Sequence, residues 1–240
     1  MLSIINFIKV VVMKKIRFTL IVLFLFSAVF ISCEKDRSHS DESEEIPGMG
    51  DSDEELEVDE PLYFPIGLSL VGDITGVEVN SEPLENPIGS GGQWVILDVL
   101  IQNVSDKDAN FFLPGGSVVE CQIEGYQHAI CIQRVDVLVE KESSKPFKLL
   151  VFCINEGRSG SSPDITYEIL GISNSDKIMS LVDALEDKKI DIRDYLPNNK
   201  AEFEEICIKI QDVVWAITNG SGLSDEDWSF VNSLPNVVVE

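Results

Sequence analysis

Between residues 66 and 170 the chain repeats one pattern. Short β-rich apolar runs alternate with turn residues. The runs cover 66–71, 74–79, 93–102, 117–123, 128–139, 147–154 and 165–170. Gly72-Asp73, Ser105-Asp106-Lys107-Asp108, Pro114-Gly115-Gly116, Glu124-Gly125-Tyr126 and Lys141-Glu142-Ser143-Ser144 separate them. Strand-length runs bounded by such residues pair with their neighbours, because each apolar face needs a partner and Gly, Asp and Ser favour reversal of the chain. The run at 93–102, with Trp94, Ile96, Val99 and Ile101 among other apolar residues, has the make-up of a central strand.

After residue 175 the period changes. Ile178, Leu181, Val182 and Leu185 fall on one helical face within 176–188. Asn199 followed by Glu202 gives a capping-box pattern ahead of the stripe Phe203, Ile206, Cys207, Ile210, Val213, Val214 and Ile217, which Gly220 closes. Ser224 with Asp227 caps a short last helix carrying Trp228, Phe230 and Val231. The expected fold is therefore mainly β: an immunoglobulin-like antiparallel β-sandwich with two to three C-terminal amphipathic helices in a single globular unit, residues 62–240.

The N-terminal segment is of a different kind. No acidic residue precedes Glu34, whereas Lys9, Lys14, Lys15 and Arg17 do. Met13-Lys14-Lys15-Ile16-Arg17 leads into an apolar run over 18–31, too short to span a bilayer comfortably, and then Ser32-Cys33. Phe30-Ile31-Ser32-Cys33 resembles a bacterial lipobox, with Phe30 where Leu is usual. The resemblance implies a lipoprotein signal over 1–33, lipidation of Cys33 and attachment to a membrane through acyl chains rather than a spanning helix.

Residues 34–61 hold thirteen acidic and two basic side chains, a net of −11, and no aromatic residue. This composition predicts a disordered, extended tether. Its Cys-Glu-Lys-Asp start resembles the acidic export signals of surface lipoproteins in some Gram-negative bacteria. That implies display at the cell surface from the outer membrane, with a periplasm-facing orientation as the alternative.

The whole chain carries a formal charge of −24. Too few cations remain to build a phosphate-binding face, which excludes nucleic acid as a partner.

Signatures of catalysis and of cofactors are missing. His128 is the one histidine of the folded part, so a triad or a His-based metal site lacks partners. Gly89-Ser90-Gly91-Gly92 lacks the Lys-Ser/Thr ending of a phosphate loop and reads as a turn. Asp106-Lys107-Asp108-Ala109-Asn110 starts like a calcium loop and fails at Phe111 and Ser117. No enzyme activity, cofactor or metal is expected.

Cys121, Cys131, Cys153 and Cys207 follow Cys33. Folding about Glu142-Ser143 brings Cys131 near Cys153, and folding about Gly125-Tyr126 brings Cys121 near Cys131. These three are either cross-strand disulfide partners or buried thiols.

Phe152-Cys153-Ile154-Asn155 ends a strand, and Gln211-Asp212-Val213-Val214-Trp215 lies on the long helix. The pair resembles the thioester domains of bacterial surface adhesins, in which an aromatic-Cys-apolar segment and a Thr-Gln-x-x-x-Trp helix supply an internal Cys–Gln thioester. Ile210 stands in the position of that Thr. The resemblance implies Cys153 as the thiol, Gln211 as the acyl donor and Trp215 as the motif tryptophan. Read from the residues alone, Phe152 and Trp215 are core aromatics, Cys153 a packed or bridged cysteine and Gln211 a polar flank.

The function expected from the sequence is that of a lipid-anchored extracytoplasmic binding or adhesion module with a protein or glycan ligand. The alternatives are a covalent adhesin using Cys153 and Gln211, a structural accessory of an outer-membrane complex, and a secreted hydrolase for which the sequence singles out no carboxylate pair.

Overall fold

A computed structural model describes residues 45–237. Cys33 lies outside the described residues. Eleven strands, three α-helices and one 3₁₀ turn follow in order: β1 (Val58–Pro61), β2 (Leu68–Leu70), β3 (Ile74–Gly76), β4 (Pro87–Gly89), β5 (Val95–Asn103), β6 (Ala109–Leu113), β7 (Ser117–Cys121), β8 (Ala129–Cys131), β9 (Val135–Val139), β10 (Ser143–Cys153), β11 (Thr166–Ser173), α1 (Asp176–Leu185), the 3₁₀ turn Ile192–Asp194, α2 (Lys200–Thr218) and α3 (Asp225–Ser233).

The expected sandwich is not what forms. Six strands close a ring in the order β5-β3-β11-β7-β8-β10, and β10 pairs back onto β5. All six pairings are antiparallel. The molecule is therefore built on a closed barrel and not an immunoglobulin-like sandwich. The closing seam is long, running from Ser143↔Asn103 to Val151↔Val95. Outside the ring, β2 adds to the β5 edge, β4 runs parallel to β10 and β1 pairs with β11. A separate two-stranded sheet joins β6 to β9. The run at 128–139 is thus two strands in different sheets, β8 in the barrel and β9 outside it.

Barrel closure explains the composition of β10. Along a strand, side chains alternate between faces. Leu149, Val151 and Cys153 enter the barrel core with Val95, Leu97, Val99, Ala129 and Tyr167. Leu150, Phe152 and Ile154 point the other way, into a second core made with Ile178, Leu181, Cys207, Ile210 and Val214 of the helices. Both faces are buried from Leu149 to Cys153, so that half of the strand is apolar without a break, as the central strands of covered sheets are.

The helices start and stop as their sequences dictate, with one exception. Ser175 accepts from the Ile178 N–H at the start of α1, and Ser224 and Asp227 form a reciprocal capping box on α3. Asn199 makes no side-chain cap on α2, so the Asn199–Glu202 pattern is not used. Gly220 follows the end of α2 and donates its N–H to the Ile217 carbonyl.

Residues 45–61, which composition assigns to the disordered tether, lie on the domain instead. Ile46 and Met49 are buried in the helical core, and β1 pairs with β11. A few apolar side chains in an acidic segment anchor it, Ile46 and Met49 buried and Leu56 and Val58 partly so, and the docked backbone also finds partners. The Gly50 N–H donates to the Ile154 carbonyl at 2.7 Å. Gly50 also approaches α2 so closely that a Cβ there would stand 2.3 Å from the Thr218 carbonyl oxygen.

Candidate functional site

Cys153 is the last residue of β10, and its position there leaves its main chain with a vacancy on one side. The β5–β10 register ends at Val151↔Val95, while on the other edge β8 continues through Cys153↔Ala129. Just beyond Val95 the chain swings away through Gly91-Gly92. The Gly92 N–H donates to the Val151 carbonyl at 3.0 Å. Gly91 adopts a left-handed φ of 99°, and a Cβ there would lie 2.5 Å from that same carbonyl oxygen. Glycine is needed for this approach.

On the β5 edge, the Cys153 N–H and C=O therefore have no strand to meet, and Gln211 of α2 takes both. The Cys153 N–H donates to Gln211 Oε1 at 3.0 Å, and Gln211 Nε2 donates to the Cys153 carbonyl at 2.8 Å. Gln211 is only 2% exposed and is a polar residue set within the apolar stripe of α2. Such a residue is retained in a core only when its hydrogen bonds are met.

The side chain of Cys153 is fully buried in the barrel. Burial pushes its thiol up to about 12, and Glu156 adds to the rise. The Trp215 indole and the residue's own backbone act in the opposite sense. Trp215, one turn beyond Gln211, is half-buried against the barrel core. Its ring lies 6.4 Å from that of Trp94, tilted by 37°. Trp94, 44% exposed, forms the outer layer of this aromatic pair.

Asn155 completes the surroundings. Its Nδ2 donates to the carbonyls of Gly48 and Gly50 at 3.0 and 3.1 Å, and its Oδ1 accepts from the His128 N–H at 3.2 Å. Its own N–H donates to Gln127 Oε1 at 3.3 Å. Asn155 thereby fastens the N-terminal segment to the end of β10. His128 accepts the Cys121 N–H on Nδ1 at 2.9 Å, a role that requires the neutral ring. Burial first, and the charge of Arg158 second, lower its pKa to about 4.

The residues singled out from the sequence thus separate. Cys153, Gln211 and Trp215 come together. Cys121, Cys131 and Cys153 do not pair: all are buried free thiols, as is Cys207. The register sets Cys153 opposite Ala129, Cys131 opposite Ser117 and Cys121 opposite Tyr167. Hairpin folding about Glu142-Ser143 misplaces them because β9, which leads into that turn, belongs to the other sheet. Among the described residues, no group of three or more His, Cys, Asp or Glu side chains could hold a metal ion, and no helix is long and apolar enough to cross a membrane.

Trp94, Asn155 and the Gly91-Gly92 turn are parts of the site to which the sequence alone assigned no functional role. A run of glycines just before a strand signals close backbone approach, and a polar residue directly after a fully apolar strand end was the clue to Asn155.

The Gln211 carboxamide is thus held in a buried setting on the main chain of Cys153, whose thiol is buried in the barrel core. The Cys153 N–H already polarises the Gln211 carbonyl in the sense a nucleophile needs, since it donates to the oxygen on which charge would develop. No protein family, no curated protein and no solved structure matches this chain.

Proposed function

We propose that this protein is a covalent binding module, held outside the cytoplasm by a lipid on Cys33, that captures an amine-bearing partner through an internal Cys153–Gln211 thioester. In the first step the Cys153 sulfur bonds to the Gln211 side-chain carbonyl carbon. The carbon–nitrogen bond breaks, and the thiol proton leaves with the nitrogen as ammonia. In the second step a partner's amine attacks the same carbon, the carbon–sulfur bond breaks, and an amide to the partner forms while the thiol is restored.

One observation carries this reading. A glutamine buried in an apolar helix stripe makes both of its side-chain hydrogen bonds, one donated and one accepted, with the main chain of one cysteine. Lipid anchoring, outer-membrane location and display at the surface belong to the same proposal, supported by the lipobox-like Phe30–Cys33 segment and the acidic residues after it.

The test uses the full chain, expressed with its leader in a lipoprotein-processing bacterium and purified in detergent. Peptide mass mapping should find the Cys153 and Gln211 peptides joined, lighter by one ammonia, and methylamine should separate them with one methylamine placed on Gln211. Unjoined peptides with an intact, unlabelled Gln211 refute the thioester. Metabolic labelling with a fatty acid that leaves the chain unmarked refutes the anchor.

A further inference from the structure

Among the described residues, three buried side-chain polar atoms lack a hydrogen-bond partner: Gln93 Oε1, Tyr167 Oη and Trp215 Nε1. Orphaned buried donors are rare and call for an explanation. The Trp215 indole N–H sits at the proposed reacting pair, one helical turn from Gln211. Its ring lies beside that of Trp94, tilted by 37°, and packs against the barrel core.

We infer that the Trp215 indole N–H is the donor that stabilises the Cys153 sulfur while it carries negative charge, as the thioester forms and again as an amine opens it. The inference rests on the thioester reading. During formation, the sulfur gives up its proton as it bonds to the Gln211 carbonyl carbon, and that proton leaves with ammonia. During opening, the carbon–sulfur bond breaks and the electron pair stays on sulfur until it takes the proton shed by the attacking amine.

In both steps a sulfur anion arises inside an apolar barrel, where burial opposes it. Trp215 is the side chain that opposes this penalty at Cys153. A donor left idle in the resting state and available to the anion is a preorganised one, since its orientation is set before charge develops. Gln211 Oε1 has its own donor in the Cys153 N–H, so the two hydrogen-bond donors divide the work between oxygen and sulfur.

The experiment measures the rate at which methylamine opens the thioester, from pH 6 to 10, in the full chain and in three variants. Trp215→Phe removes the donor and keeps an aromatic ring. A second variant carries benzothienylalanine at position 215, which keeps the indole shape with sulfur in place of N–H. Trp94→Phe changes the neighbouring indole as a control. Loss of one preorganised donor should slow opening by about 10²–10³-fold in both position-215 variants. Trp94→Phe should stay within severalfold of the parent. Failure of both position-215 variants to form the thioester while Trp94→Phe forms it also supports the inference, provided their circular dichroism matches the parent. A benzothienylalanine variant that opens at the parent rate overturns the inference and leaves the thioester standing. A parent chain that never loses ammonia overturns both.

Discussion

The side-chain amide of Gln211 pairs with the main chain of Cys153 as a neighbouring strand would, donating to the carbonyl at 2.8 Å and accepting from the N–H at 3.0 Å. One side chain from a helix thus continues a sheet ladder at the point where β5 leaves it. This pairing has a stability consequence that can be measured apart from any covalent chemistry.

In a Cys153→Ala background, where no cross-link can form, Gln211→Leu leaves a buried N–H and a buried C=O without partners. The expected loss is about 3 kcal/mol, or roughly 6–12 °C in Tm for a domain of this size. Thermal unfolding of the two chains checks it. A loss below about 0.5 kcal/mol, the range of ordinary surface changes, would show that the pairing contributes nothing to the fold.

Cysteine counting separates a thioester from a disulfide. Denatured without reductant, the chain should expose all but one of its four thiols after Cys33, and methylamine treatment should release the last. Two or more masked thiols that reductant releases and methylamine does not would mean that cystine has formed instead.

Acid should weaken the domain through His128. Its folded pKa, about 4, lies below the ordinary 6.5. The unfolded chain therefore takes up a proton that the folded one refuses between those values. Stability from this group is complete above pH 6.5 and is lost as pH falls toward 4. Partial exposure screens the effect, leaving about 2 kcal/mol. His128→Asn keeps an acceptor near the Nδ1 position, so its urea midpoint should depend less on pH across this window than that of the parent. Parallel pH profiles would assign the acid sensitivity to carboxylates alone.

Asn155→Ala removes the clamp on Gly48 and Gly50 and strips the His128 N–H of its acceptor. The expected cost is about 2–4 kcal/mol. Limited proteolysis should then cut within 45–56 in the variant long before the parent. Equal protection of that segment would place its attachment elsewhere, on Ile46 and Met49.

Local pattern made the strands and helices legible, and long-range pairing was not. The apolar run at 147–154 and the stripe from Phe203 to Ile217 are short-range signals, and both elements form where those signals lie. Closure of the barrel depends on β5 meeting β10, with four other strands between them in sequence. Nothing in the alternation of either strand reports that partnership. The run at 128–139 breaks at Gln133, whose amide turns to the end of α1 and the residues after it, donating to the Leu185 and Lys188 carbonyls at 2.7 Å. That requirement is invisible until the helix is in place. Cys153, Gln211 and Trp215 carried a motif, whereas Trp94 looked like one more strand aromatic, since its place in the site depends on which ring lies beside it.

The N-terminal segment meets the rest of the molecule within a few residues of the reactive pair: Gly50 holds Ile154, the neighbour of Cys153, and abuts Thr218 at the end of the helix that carries Gln211. A partner joined to Gln211 and pulled against the N-terminal side of the chain would therefore load a short path, from α2 across Gly50 into that segment. The Asn155 clamp and the docked Met49 hold that segment, so they would govern how it yields under such a load.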